Sequence, residues 1–233
     1  MIADRVAAVR QRIARAAARA GRKAGDVTLV AVSKTFPAEG VRQAFTAGVR
    51  DFGENKVQEA EAKVAALAEL LPQGLRWHLV GHLQKNKSKK AVALFDVIQS
   101  LDEVDLAHHV EHYAAQQKKV IQAFVQVDLG GEETKFGFDE KLLFPALENL
   151  RSFKSVRVRG LMVLPPFSAD PEGARPYFRA LREVRDRLLT RGGDASMLQE
   201  LSMGMSHDFE VAVEEGSTMV RVGTAIFGGR TSV

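Results

Sequence analysis

Short apolar runs alternate with helical patterns eight times along this chain, and that alternation limits the possible folds more than any other feature. The first run, Val27–Lys34, is rich in β-branched residues and reads as a strand buried on both faces, as in a parallel sheet. Further strands are predicted at 49–52, 76–80, 96–100, 120–127, 156–164, 198–202 and 219–222. Helices are predicted between them at 38–47, 53–71, 84–94, 101–118, 139–150, 172–191 and 208–215, with Pro72, Gly74 and the Pro165-Pro166 pair as breakers. Eight is the strand number that closes a parallel barrel. No Gly/Ser/Pro-rich linker or compositional break divides the chain, so residues 1–233 read as one domain, a (β/α)8 TIM barrel. An open doubly wound sheet is the alternative, since one false strand would change the count.

Ahead of the first strand, Ile2, Val6, Val9, Ile13 and Ala17 recur at helical spacing, with Gly21 as a stop. The segment is arginine-rich, as a transit peptide is, but carries Asp4. It is expected to be an extra packed helix covering one end of the fold.

Composition removes several classes of function. There is no cysteine, hence no disulfide, thiol nucleophile or thiolate metal site, which suits a cytoplasmic location. No apolar run is long enough for a transmembrane helix, so no membrane partner is expected. A net charge of +4 suits an anionic ligand without naming one.

In a barrel of this kind the functional face lies at the C-terminal ends of the strands. Lys34 ends the first strand, where desolvation can hold a lysine unprotonated and able to capture a carbonyl. Residues 202–206 lead from strand seven into a helix, so that backbone amides and the Ser206 hydroxyl would face an anion. After strand eight, Gly223 permits close backbone approach and Thr224 adds a donor, while Arg221 points into the barrel mouth. Each segment taken alone is an ordinary turn. Together they supply what pyridoxal 5′-phosphate (PLP) requires: an amine for a Schiff base, a phosphate grip and a partner for the pyridine nitrogen. Arginine can donate to that nitrogen but cannot stabilise its protonated form as a carboxylate does. The ring would then be a weak electron sink, suited to racemase-type chemistry or to non-catalytic binding.

Five segments, 30–34, 52–59, 77–87, 201–206 and 220–228, resemble in order the pyridoxal phosphate homeostasis protein family, which is related to the N-terminal barrel of alanine racemase. The resemblance runs from about Asp26 to Arg230. It implies a barrel holding PLP on Lys34, with Ser206, Gly223 and Thr224 at the phosphate, Arg221 near the ring nitrogen and Asn55 close to the cofactor. It also implies a role in balancing free PLP and related amino- and keto-acid pools, without established catalytic turnover. Residues 128–137 are similar to the family's loop after strand five, except that Phe136 stands where a small residue is expected, which leaves the role of Lys135 open. A two-base racemase needs a second acid or base across the cofactor, and the only tyrosines, Tyr113 and Tyr177, fall in predicted helices. A PLP carrier is therefore favoured over a turnover enzyme. A weak amino-acid racemase is the alternative, and a barrel for another phosphorylated metabolite is a third reading. Amino acids and PLP-dependent apo-enzymes are candidate partners, and a monomer is expected.

Other signals carry less. His108, Glu111 and His112 have a zinc-protease spacing, but they lie opposite the Leu106, Val110 and Ala114 stripe and read as a solvated helix face. The basic run 85–90 has no interleaved aromatic residues for base stacking, so an exposed helix start is favoured over nucleic-acid binding. The alternating charges of 179–191 fit a surface helix. His78 is balanced between packing and cofactor contact, and His82 is a candidate lip residue.

Overall fold

In the computed structural model, which describes residues 1–130 and 136–229, eight parallel strands close into a barrel in chain order, with β8 paired back to β1. The strands are β1 (Thr28–Val32), β2 (Asp51–Glu54), β3 (Arg76–Leu79), β4 (Val97–Leu101), β5 (Ile121–Gln126), β6 (Val156–Met162), β7 (Glu200–Met205) and β8 (Met219–Val222). The helices are α1 (Ile2–Arg19), α2 (Ala38–Thr46), α3 (Val57–Ala66), α4 (Ser88–Leu94), α5 (Val104–Gln116), α6 (Glu140–Leu150), α7 (Arg175–Thr190), α8 (Phe209–Glu214) and α9 (Thr224–Phe227). None of the described helices is long and apolar enough to cross a membrane.

Side chains alternate between two cores. One face of each strand packs against the helices, as Ala31, Phe52, Trp77, Ile98 and Leu201 do. The other face fills the barrel, where Val30, Val97, Phe124, Met162 and Met219 form a separate apolar cluster. Each of the larger side chains contributes about 1.5–3 kcal/mol by leaving water.

Four expectations need correction. The N-terminal helix does not cover an end of the barrel. It packs along the flank against α2, α8 and α9 through Val6, Val9, Ile13, Ala16 and Ala17. Among the described residues β8 is followed by the four-residue α9, and α1 fills the outer slot beside it. The helix expected to reach Leu71 stops at Ala66 and gives way to a 3₁₀ turn, Ala68–Gln73, because Pro72 has no N–H for an α-helical bond and restricts Leu71. Gly53 and Glu54 belong to β2 rather than to a helix start. β7 runs on to Met205, with a register shift against β8 between Ser202 and Met205.

Candidate functional site

A cavity of about 520 Å³ opens among residues at the C-terminal ends of β1, β2, β3, β7 and β8. Lys34, Asn55, Ser206, Arg221, Gly223 and Thr224, the six residues singled out from the sequence, all line it.

Lys34 stands two residues beyond the end of β1, in a turn rather than on the strand. The next residue, Thr35, has φ 68°, a left-handed conformation that is strained for a β-branched side chain. Ser33 anchors this turn. Its amide donates to the Gly53 carbonyl at 2.9 Å and its carbonyl accepts from the Phe36 amide at 3.0 Å. Its hydroxyl donates to Glu54 Oε1 at 2.6 Å, and Lys63 Nζ reaches both the Ser33 carbonyl, at 2.5 Å, and Glu54 Oε1, at 2.6 Å. Glu54 is wholly buried, and its Oε2 has no partner among the described residues. A buried carboxylate and a lysine thus clamp the backbone that presents Lys34.

Asn55 follows β2 and meets Gly81, which follows β3, backbone to backbone. A Cβ at Gly81 would lie 2.3 Å from the Asn55 carbonyl oxygen, so no other residue permits this approach. Across the mouth, Ser206 Oγ accepts from the amides of Gly223 at 3.0 Å and Ala225 at 3.4 Å, at the first turn of α9. Gly223 sits against the end of β1, where an added Cβ would be 3.1 Å from the Val32 carbonyl oxygen. Backbone amides and two hydroxyls, of Ser206 and Thr224, therefore gather where an oxyanion would be received.

Arg221 on β8 is buried beneath this rim. Burial pushes its guanidinium down to about 10, against the opposing charge of Asp208, so it stays protonated at neutral pH. The Asp208 carboxyl is itself pushed up by burial, although the Met205 amide donates to its Oδ1 at 2.6 Å. Arg221 Nη1 donates to Ser202 Oγ at 2.5 Å and Nη2 to the Val163 carbonyl at 2.8 Å. Two of its five N–H groups are used among the described residues, and the side chain faces the cavity.

From Ser202 a line of hydrogen bonds descends through the barrel. Ser202 Oγ donates to Gln99 Oε1 at 2.6 Å, and Gln99 Nε2 donates to His78 Nδ1 at 2.9 Å. His78 Nε2 lies 2.9 Å from Asp51 Oδ1, and Asp51 Oδ2 accepts from Arg76 at 3.0 Å. Burial, the largest influence on Asp51, pushes its carboxyl up, but the hydrogen bonds and charges of His78 and Arg76 outweigh it and hold it below the usual range. His78 therefore packs inside the barrel beneath the cavity and does not line it.

The remaining sequence signals resolve into structural contacts. Glu111 is not simply solvated: its carboxylate accepts from the amides of Lys154, Ser155 and Val156, capping the entry to β6. His108 packs on Phe153 and His112 on Tyr113. The described residues contain no group of three or more acidic or histidine side chains able to hold a metal. In the basic run Lys85 pairs with Glu103 and Asp105, and Lys90 with Glu61. Lys135 lies outside the described residues. Missed in the sequence were the Glu54–Lys63 clamp, the Ser202–Gln99 link and His207, which also lines the cavity. Polar residues inside otherwise apolar strands, Gln99 and Ser202 among them, were the available signal.

The family model for the alanine racemase N-terminal domain matches residues 5–231. The pyridoxal phosphate homeostasis protein of Aquifex aeolicus is 44% identical over 227 residues, covering 97% of each chain. The protein of the same name from Escherichia coli is 37% identical over 98% of this chain and 97% of its own. The solved structure of PipY from Synechococcus elongatus without PLP superposes with a TM-score of 0.88 at 39% identity, covering 98% of this chain and all of that one. Its PLP-bound form gives 0.85 at the same identity and coverage. Alanine racemase of Clostridium difficile shares the fold, with a TM-score of 0.64 at 15% identity over 89% of this chain and 53% of its own. On this closed eight-stranded barrel, matched over nearly its full length, the chain belongs to the pyridoxal phosphate homeostasis protein family, built on the alanine racemase N-terminal domain.

Proposed function

We propose that this chain binds pyridoxal 5′-phosphate in the cavity and holds it for exchange, as a homeostasis protein rather than a turnover enzyme. When bound, the cofactor supplies an aldehyde carbon that a primary amine can capture. Lys34 Nζ, on the cavity wall, would be that amine. Ser206, Thr224 and the Gly223 backbone receive the phosphate, Arg221 donates to the ring nitrogen, and Asn55 lies against the cofactor. The observation that carries the assignment is Arg221: a buried, charged guanidinium with unused donors on the wall shared with Lys34. A cation there opposes a second positive charge on the ring nitrogen, so the site favours holding the cofactor over withdrawing electrons through it. The PLP-bound PipY structure, similar over 98% of this chain, supports the same ligand.

The chain is proposed to work as one barrel domain, monomeric and cytoplasmic, exchanging PLP with free amino acids and PLP-requiring apo-enzymes. Titration of the purified chain with PLP, followed by visible absorbance and equilibrium dialysis, tests the assignment. Saturable uptake of one equivalent with a new visible band is expected, and weaker uptake by Arg221→Met. Uptake without a band would favour another phosphorylated ligand bound through charge alone.

A further inference from the structure

The lip of the cavity holds a histidine–carboxylate pair that PLP binding leaves unused. His82, in the segment after β3, lines the cavity and keeps 32% of its side chain exposed. Its Nδ1 lies 2.8 Å from Oδ2 of Asp102, the residue that follows β4. Phe136 lies flat on the ring, with centroids 3.6 Å apart and an interplanar angle of 10°. The carboxylate and the aromatic face fix the imidazole plane, and Nε2 is the ring nitrogen without a protein partner among the described residues. The residue that departs from the expected pattern of its loop, Phe136, is thus the one that braces His82.

Asp102 makes the pair more than a latch. Its side chain is only 6% exposed, and Oδ1 is buried with no partner among the described residues. A buried carboxylate with one unmatched oxygen depends on its remaining partner, the His82 ring nitrogen, and holds it in place. Burial pushes the Asp102 carboxyl up while His82 draws it down. The other titratable groups lining the cavity are Lys34, His207 and Arg221. Glu103, next to Asp102, is paired with Lys85. An imidazole with one nitrogen oriented by a carboxylate and the other open to a ligand cavity is the arrangement of a general base that returns its proton as an acid.

We propose that His82, oriented by Asp102, moves the protons when a primary amine, an α-amino acid above all, displaces Lys34 from the cofactor's carbon. The proposal rests on the PLP assignment. In this step the incoming ammonium gives a proton to His82 Nε2, and its freed electron pair forms a bond to the carbon held by Lys34 Nζ. A second proton passes from the incoming nitrogen to Nζ, and the carbon–nitrogen bond to Lys34 breaks as the incoming nitrogen's electron pair closes the new double bond. The broken bond's electron pair returns to Nζ, which takes the proton from His82. Proton and charge balance, and the imidazole ends neutral as it began. The cavity would thus serve exchange of the captured carbonyl between Lys34 and amines.

The test loads wild type, His82→Gln and Asp102→Asn with PLP and mixes each with L-alanine in a stopped-flow spectrometer. Rates are normalised to the fraction of Lys34 carrying a borohydride-trapped adduct. His82→Gln is expected to slow exchange roughly 10²-fold. Asp102→Asn should slow it less. Independently, ¹⁵N-histidine NMR of the cofactor-free chain should show the His82 ring proton held on Nδ1 by Asp102, and that preference lost in Asp102→Asn. Wild-type exchange rates in well-loaded His82→Gln, or an unchanged His82 tautomer in Asp102→Asn, would overturn the proposal alone. No adduct on Lys34 in wild type would overturn the PLP assignment and the proposal with it.

Discussion

Gln99 Nε2 donates to His78 Nδ1 at 2.9 Å inside the barrel, and this contact turns the other ring nitrogen, Nε2, towards Asp51 Oδ1. The direction follows from the top of the line. Arg221 can only donate, so Ser202 Oγ accepts from it and must spend its own proton on Gln99 Oε1, which turns the Gln99 amide towards His78. The Arg221 guanidinium on the cavity wall is thus oriented from below by residues that do not line the cavity.

Gln99→Met should therefore weaken PLP binding without removing a cofactor contact. It leaves Ser202 and His78 each lacking a partner, and stability should fall by about 1–3 kcal/mol per orphaned group. Urea unfolding and PLP titration measure the two effects. Lost stability with unchanged PLP affinity would show that Arg221 keeps its orientation without the line beneath it.

Asp51 gives a pH signature at the floor of the barrel. Its carboxyl is held below the ordinary 3.8, so its stabilising contribution is complete above that value and is lost as pH falls through the lower folded value. Asp51→Asn should destabilise the chain by about 1.5–3 kcal/mol at pH 7, and the difference from wild type should shrink below about pH 4. Paired denaturant curves at the two pH values would show this. A difference that grows on acidification would contradict the assigned partners.

The clamp behind Lys34 is equally open to test. Lys63→Met leaves Glu54 buried without its cation, and breaking such a pair from one side costs about 3–5 kcal/mol. Lys63→Met combined with Glu54→Gln should recover part of the loss, because the uncompensated charge goes too. Thermal or urea unfolding of the single and double variants decides it, and additive losses would contradict the pairing.

Much of the barrel is legible in the sequence because buried parallel strands are written as β-branched apolar runs, and β1 is the plainest case. Lys34, Ser206, Arg221, Gly223 and Thr224 could be grouped because a closed barrel brings the ends of its strands to one face. The Arg221–Ser202–Gln99–His78 line could not, since Gln99 and Ser202 lie 103 residues apart and meet only through barrel closure. His78 stayed balanced between packing and cofactor contact for the same reason. Phe136 was visible as a departure, but its stacking on His82 needed the loops after β3 and β5 side by side. The α3 boundary was missed although Pro72 was read as a stop, because the alanine-rich pattern before it does not separate an α-helix from a closing 3₁₀ turn.

The most direct measurement is borohydride reduction of the PLP-loaded chain followed by peptide mass mapping. The visible band should bleach and a single pyridoxyl adduct should appear on Lys34, absent from Lys34→Ala. An adduct on another lysine, or none on a chain saturated with PLP, would contradict the assignment of Lys34 as the amine that holds the cofactor.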